Sequence, residues 1–190
     1  MFFWENDNMY GMVNKAIQQM IIRDYGDEAW ECIKKEANIS EDIFLSNSSY
    51  PDSITYDLVA ASSRYLNVDS QQILIEFGKF WVLVTAMEGY GGLMRAGGNN
   101  LKEFLINLPN FHTRVSLVFP NLKPPTFQVE NITDNSLDLH YITDRLGLQN
   151  FVIGLIEGLS EMYQVKTTTE LIFTRDSIEG NGADVFRISW

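Results

Sequence analysis

Cysteine and histidine are scarce in this sequence, with one of the first, Cys32, and two of the second, His112 and His140, among 190 residues. A single cysteine excludes an intramolecular disulfide and any CxxC or paired-CxxC zinc site, and a chain without disulfides fits the cytoplasm. Basic residues are also few. Fourteen Lys and Arg stand against 25 Asp and Glu, a formal charge of −11, and nowhere do they gather into a stripe that would track phosphates. That balance argues against a nucleic-acid partner. Long apolar runs are missing as well: Phe80 to Met87, with Thr85 inside it, falls far short of the roughly 20 residues that span a bilayer, so no membrane span is expected. The opening Met1-Phe2-Phe3-Trp4 has no basic residue ahead of it and meets Glu5, Asn6 and Asp7 at once, unlike a secretory signal. What is present, 45% hydrophobic and 21% charged residues, suits one compact domain, or a domain with a small subdomain packed against it.

The first two thirds of the chain carry helical periodicity. Met12, Val13, Ala16, Ile17, Met20 and Ile21 recur in pairs every four residues, predicting a helix from near Met9 capped by Asn8 or Asp7. Gly26 ends it, Asp27 caps the next, and Trp30, Ile33 and Ala37 form a second face before the polar loop from Ser46 to Ser49. Pro51 suits the opening of a third helix with Leu58, Val59, Ser62 and Leu66 inward. A fourth, capped by Asp69 or Ser70, presents the bulky stripe Ile73, Leu74, Phe77, Trp81 and Val84, and Gly89, Gly91 and Gly92 are expected to break it. After Asn99-Asn100, the residues Leu101, Phe104, Leu105, Leu108, Phe111 and Val115 mark one more helix. Past Pro120 and Pro124-Pro125 the period changes to two. Thr126 to Ile132 and Leu137 to Thr143 read as strands joined by Thr133-Asp134-Asn135-Ser136, then a helix between Gly147 and Gln164, then strands at Val165 to Thr174 and Val185 to Ser189. The order implies an α+β fold, a helical N-terminal subdomain followed by a C-terminal antiparallel sheet of about four strands with a crossing helix.

Candidate chemistry is sparse. Neither histidine has a nucleophile-elbow pattern beside it, and Gly89-Tyr90-Gly91-Gly92 lacks the features of a dinucleotide or phosphate loop, so loop punctuation is the favoured reading. Cys32, among Glu31, Lys34, Lys35 and Glu36, reads as a structural thiol. His112 lies four residues after Leu108 and three before Val115 on an apolar helix face. Either it is a core residue bonded to a carbonyl, or it is a metal ligand. His140 shares a strand face with Asp138 and reads as solvent-facing; an Asp-x-His metal site there would lack further ligands. Tyr141, Thr143 and Arg145 fall on one face of an extended chain, setting a phenol, a hydroxyl and a guanidinium in a row. Such a row suits a carboxylate, or is simply the polar end of an exposed strand.

From Met9 to its C-terminus the chain resembles the heme nitric oxide/oxygen-binding (H-NOX) domain, the gas-sensing module shared by bacterial sensors and the β subunit of soluble guanylate cyclase. The resemblance rests on Met9-Tyr10-Gly11-Met12-Val13-Asn14, Trp30 in Asp27-Glu28-Ala29-Trp30, Phe77-Gly78, Glu88-Gly89-Tyr90, Asn110-Phe111-His112, Phe119-Pro120 and Pro124-Pro125-Thr126-Phe127. It ends on the family's Y-x-S-x-R signature, present as Tyr141-Ile142-Thr143-Asp144-Arg145, with threonine in place of the central serine. The likeness implies an extension at residues 1–8 and a single domain at 9–190, helical over 9–120 and α+β over 121–190, with heme between the two parts.

It further implies heme b (iron protoporphyrin IX) as cofactor, His112 as the proximal iron ligand, and Tyr141, Thr143 and Arg145 on the propionates. Pro125 would press on the porphyrin, and Val13, Trp81 and Phe151 would line the distal gas pocket. Members of the family that bind O2 place a tyrosine where this chain has Phe151, so the expected ligands are NO and CO, with little O2 binding; the Trp81 indole is the one distal donor that would alter this. The expected signal is release of His112 on NO binding, read by a separate effector such as a cyclase or histidine kinase, rather than catalysis by this chain. The competing readings are a heme enzyme converting NO or peroxide, and a heme-free module binding apolar ligands or proteins.

Overall fold

The computed structural model describes residues 8–118 and 124–190, so Phe119-Pro120 and Met1 to Asp7 lie outside the described residues. The chain opens with a short strand β1 (Asn8–Tyr10), followed by α1 (Gly11–Tyr25), α2 (Asp27–Glu36), a second short strand β2 (Ser49–Pro51) antiparallel to β1, α3 (Asp52–Leu66) and α4 (Ser70–Phe80). A π-helical turn, Trp81–Ala86, leads from α4 into α5 (Met87–Ala96), and α6 (Leu101–Val118) follows. The second part holds β3 (Thr126–Glu130), β4 (Ser136–Ile142), α7 (Gln149–Met162), β5 (Thr168–Phe173) and β6 (Asp184–Ser189). Its four strands form one antiparallel sheet in the order β3-β4-β6-β5. The fold is α+β, as the switch of period from four to two predicts.

Several local expectations are corrected. Met9 belongs to β1 rather than to a helix, and α1 starts at Gly11 with no side-chain cap. Its first amides are satisfied instead by carbonyls of the distant loop between α2 and β2, Gly11 N–H donating to Ser48 O (2.8 Å) and Met12 N–H to Ser46 O (3.2 Å). Ser49, expected in a loop, pairs with Tyr10 for the same reason. Asp27 is the first residue of α2 rather than its cap, which is Gly26 at φ +87°. The helix does break among Gly89, Gly91 and Gly92, but by a kink rather than a loop: within α5 two helical stretches meet at Tyr90, whose backbone (φ −139°, ψ 24°) is not helical. Asp69 does cap α4, its carboxylate accepting from Gln71 N–H at 2.7 Å. Cys32 is exposed. β3 ends at Glu130 and β4 at Ile142, so Thr143 and Arg145 lie in an irregular segment beyond the strand.

Two apolar cores result. One joins α1 to α4 through residues such as Ile17, Ile21, Ile33, Leu58 and Phe77; the other joins α6, α7 and the sheet through Leu101, Leu105, Leu139, Val152, Ile156 and Phe186. Each fully buried leucine or isoleucine contributes about 2 kcal/mol of transfer free energy. Where α4 crosses α7 the backbones nearly touch, since a Cβ on Gly154 would sit 2.0 Å from Ile75 O and one on Gly78 2.3 Å from Phe151 O. Only glycine permits that approach, and it sets Phe151 of α7 against the α4 stripe.

Candidate functional site

Between the two cores lies a cavity of about 250 Å³ whose walls come from α1, α3, α4, the π-helical turn, α5, α6, α7 and the sheet. Its lining is apolar apart from a few groups. His112 and Arg145 are the only basic side chains among the lining residues, which include no carboxylate.

His112 is carried by α6. The start of this helix is fixed by reciprocal bonds: Asn100 Oδ1 accepts from Glu103 N–H, and Glu103 Oε2 accepts from Asn99 N–H, both at 2.9 Å. The Asn99 N–H and the Asn100 and Asn99 side-chain amides, all donating to the Glu103 carboxyl, hold it below its ordinary pKa. Three turns on, the imidazole contacts Leu108 O at 3.1 Å through Nδ1. A carbonyl only accepts, so Nδ1 carries the proton and the Nε2 lone pair is left for another partner. Burial lowers the pKa of His112, which favours the neutral ring, and the Leu108 bond opposes this weakly. The Phe127 ring lies 4.8 Å from the imidazole and the Phe111 ring 5.5 Å.

Strand pairing brings the second group of residues near. Phe127 of β3 sits opposite Tyr141 of β4, and their rings are 5.5 Å apart, so His112, Phe127 and Tyr141 form a continuous wall. Burial pushes the Tyr141 phenol up to about 12, against weaker opposing effects of the Thr143 hydroxyl and the Arg145 charge. Arg145 lines the same cavity, with Nε donating to Asp52 Oδ2 at 2.8 Å and Nη2 to Asn8 O at 3.0 Å. Thr143 is not part of the lining; its hydroxyl accepts the Arg145 N–H at 3.2 Å and so shapes the loop. Sequence reasoning missed Asp52, which reads only as a helix-opening residue after Pro51. Its other oxygen, Oδ1, is buried without a hydrogen-bond partner among the described residues.

Pro125, Val13, Trp81 and Phe151 all line the cavity, so the structure gathers seven of the eight candidate residues around one space, Thr143 alone lying behind it. Phe77, read from the sequence as plain core, also belongs to this wall: its ring lies 4.9 Å from Phe151 and 6.1 Å from Trp81. The π-helical turn starting at Trp81 turns this part of the helix by one extra residue, a geometry found often beside functional sites. His140 is half-buried and within 3.5 Å of Glu130 Oε2, rather than solvent-facing. Among the described residues no group of three or more His, Cys, Asp or Glu could hold a metal ion, which leaves the Asp138-x-His140 pair without ligands.

Comparison with known proteins agrees with this architecture. The haem-NO-binding family model matches residues 10–171. This chain belongs to that family, and its fold is that of an H-NOX domain. A soluble guanylate cyclase of Caenorhabditis elegans, gcy-32, is 33% identical over 156 residues, covering 80% of this chain and 23% of the cyclase. The rat guanylate cyclase soluble subunit beta-2 is 31% identical over 113 residues, 59% of this chain and 17% of the subunit. The H-NOX chain thus spans about a quarter of the length of the cyclases it matches first. An H-NOX protein from S. oneidensis in the Fe(II)NO state superposes with TM-score 0.79 at 19% identity, over 95% of this chain and 97% of that one. Unliganded Fe(II) H-NOX from K. algicida gives 0.77 at 24% identity, over 95% and 96%. No helix among the described residues is long and apolar enough to cross a membrane.

Proposed function

We propose that this H-NOX domain is a heme-based sensor of NO and CO, with His112 as the iron ligand and little affinity for O2. The observation that carries the reading is the neutral imidazole of His112, tied at Nδ1 to Leu108 O and set in the wall of an apolar cavity with Arg145 and Tyr141 also in its lining. A macrocycle would supply the remaining ligands of a metal held by His112 alone. The residues present fit heme b, iron protoporphyrin IX, in that one lone pair, an apolar enclosure and a cationic, hydroxyl-bearing end match its iron, ring and propionates.

Bound heme would supply an iron with an open position for diatomic gases and a bond to His112 that NO weakens. The protein's part follows from its own side chains. The Leu108 bond fixes the tautomer of His112 and orients its ring, as outer-shell partners of ligating histidines do. Arg145 and Tyr141 would bind the propionates, with Thr143 fixing the loop that carries Arg145. Pro125 would bear on the ring. Val13, Trp81 and Phe151 form the distal wall; Phe151 has no hydroxyl to donate, and bound O2, unlike NO and CO, depends on such a donor. Released from iron, His112 would free α6 to shift relative to the first core. A separate cyclase, histidine kinase or similar effector would read that shift through different affinities for the two states. The domain itself, placed at residues 9–190, would regulate rather than catalyse, from the cytoplasm.

Absorption spectroscopy of the reduced protein expressed with ample heme tests the reading. A Soret band that is lost in His112→Gly and restored by added imidazole is expected; an unchanged ferrous spectrum and heme content in His112→Gly would show another ligand.

A further inference from the structure

Arg175 belongs to no motif discussed above and does not line the cavity, yet its side chain reaches the signature segment. It follows β5, and its Nη1 donates to the Thr143 carbonyl at 2.7 Å. Its Nη2 donates to Asp184 Oδ2 and its backbone N–H to Asp184 Oδ1, both at 3.0 Å. Asp184, the first residue of β6, is fully buried, and its Oδ2 also accepts from Gln149 Nε2 at 3.1 Å. Gln149 opens α7. One buried carboxylate and guanidinium therefore join the hairpin after β5, the first turn of α7 and the residue midway between Tyr141 and Arg145.

The segment they hold needs tethers. From Thr143 to Leu148 the chain has no regular secondary structure, so no ladder or helix fixes it. Besides the Arg175 bond, the Arg145 N–H to Thr143 Oγ1 bond (3.2 Å) ties it to itself and Tyr56 OH to Leu146 O (3.0 Å) ties it to α3. A buried ion pair is a weak source of stability, because desolvation offsets much of the attraction. The Nε of Arg175 is moreover buried with no hydrogen-bond partner among the described residues, an unfavourable feature that the fold tolerates. What the pair supplies is position.

We infer that Arg175 is a positioning residue for the anion-binding end of the cavity: clamped by Asp184, it fixes the Thr143 carbonyl and hence the loop from which Arg145 reaches its ligand. The inference rests on the heme reading, which makes that anion a propionate. Removing the guanidinium leaves Arg145 its charge but loosens the backbone that aims it.

The test is the rate at which the holoprotein loses iron protoporphyrin IX to an excess of a heme scavenger, compared with the rate for its dimethyl ester, which has no carboxylates. In Arg175→Gln, loss of the free-acid porphyrin should speed up about tenfold, as expected for one charge-assisted bond of about 1.4 kcal/mol, while loss of the ester stays within about twofold. Arg145→Gln/Arg175→Gln should lose heme no faster than Arg145→Gln alone. Equal acceleration for both porphyrins, additive effects in the double variant, or no acceleration would overturn the inference and leave Arg175 a general structural residue. Should Arg175→Gln not fold, Arg175→Lys keeps a counter-charge for Asp184 without the fork that also spans to Thr143, and the same comparison applies with a smaller effect. A wild-type chain that takes up neither porphyrin rejects the heme reading itself, an outcome separate from the others.

Discussion

Phe151 and His112 are the single residues on which the proposed ligand selectivity rests. Phe151→Tyr places a hydroxyl in the wall beside Phe77. The reduced variant is expected to gain a spectrum in air that the parent lacks, with CO affinity changed little; absence of any change would shift attention to Trp81. On the sheet, Asp138 is buried and accepts from Arg187 Nε and Nη2 and from Asn131 Nδ2, each at 2.8 Å. The Arg187 bonds chiefly hold its carboxyl below the ordinary range. An acid whose folded pKa lies below its unfolded value of roughly 3.9 stabilises the protein above that pH and loses the contribution as pH falls through the folded value. Asp138→Asn should therefore lower the urea midpoint at pH 7 and flatten the decline in stability below pH of about 4. Arg187 is half-exposed, so solvent screening keeps the effect modest.

Between elements, the α4–α7 crossing is the contact with least freedom. Gly154→Ala would press a methyl onto Ile75 O and is expected to cost about 1–3 kcal/mol, measured by denaturant melts, by forcing the helices apart. Gly92→Ala, with open space around its Cβ position, serves as the control and should gain rather than lose stability, by about 1 kcal/mol or less. The elements themselves were largely legible in the sequence because their signals are local. The stripe from Ile73 to Val84, the Asp69 cap and the alternation Leu137, Leu139, Tyr141 all depend on neighbours in the chain. What was not legible depends on distant partners. β1 forms because Asn8 to Tyr10 meets Ser49 to Pro51, and α1 lacks a side-chain cap because loop carbonyls reach its amides. The same holds at the candidate site. His112, Tyr141 and Arg145 were found through a motif, whereas Asp52 and Arg175, which contact Arg145 and its loop from far along the chain, carry no pattern of their own.

Across the whole molecule, the cavity occupies the seam between two separate cores. Filling it with a tightly held cofactor bridges them, and a ligand present at a thousand times its dissociation constant adds roughly 4 kcal/mol, or about 10 °C in melting temperature for a chain of this size. Calorimetry of the heme-free and heme-loaded chain should show this rise together with a sharper transition; an unchanged midpoint would mean that the folded state does not hold the cofactor, and an unchanged width that the cores already unfold together without it. The sheet order β3-β4-β6-β5 also has a meaning for synthesis. Its last strand in sequence, β6, does not add to an edge but fills the gap between β4 and β5, and it brings Asp184 with it. On the ribosome, Tyr141 and Arg145 therefore emerge some time before their support exists. A nascent chain stalled before Asp184 has Tyr141, Thr143 and Arg145 but lacks the carboxylate that clamps Arg175 against the Thr143 carbonyl, so this end of the cavity is the last to be fastened.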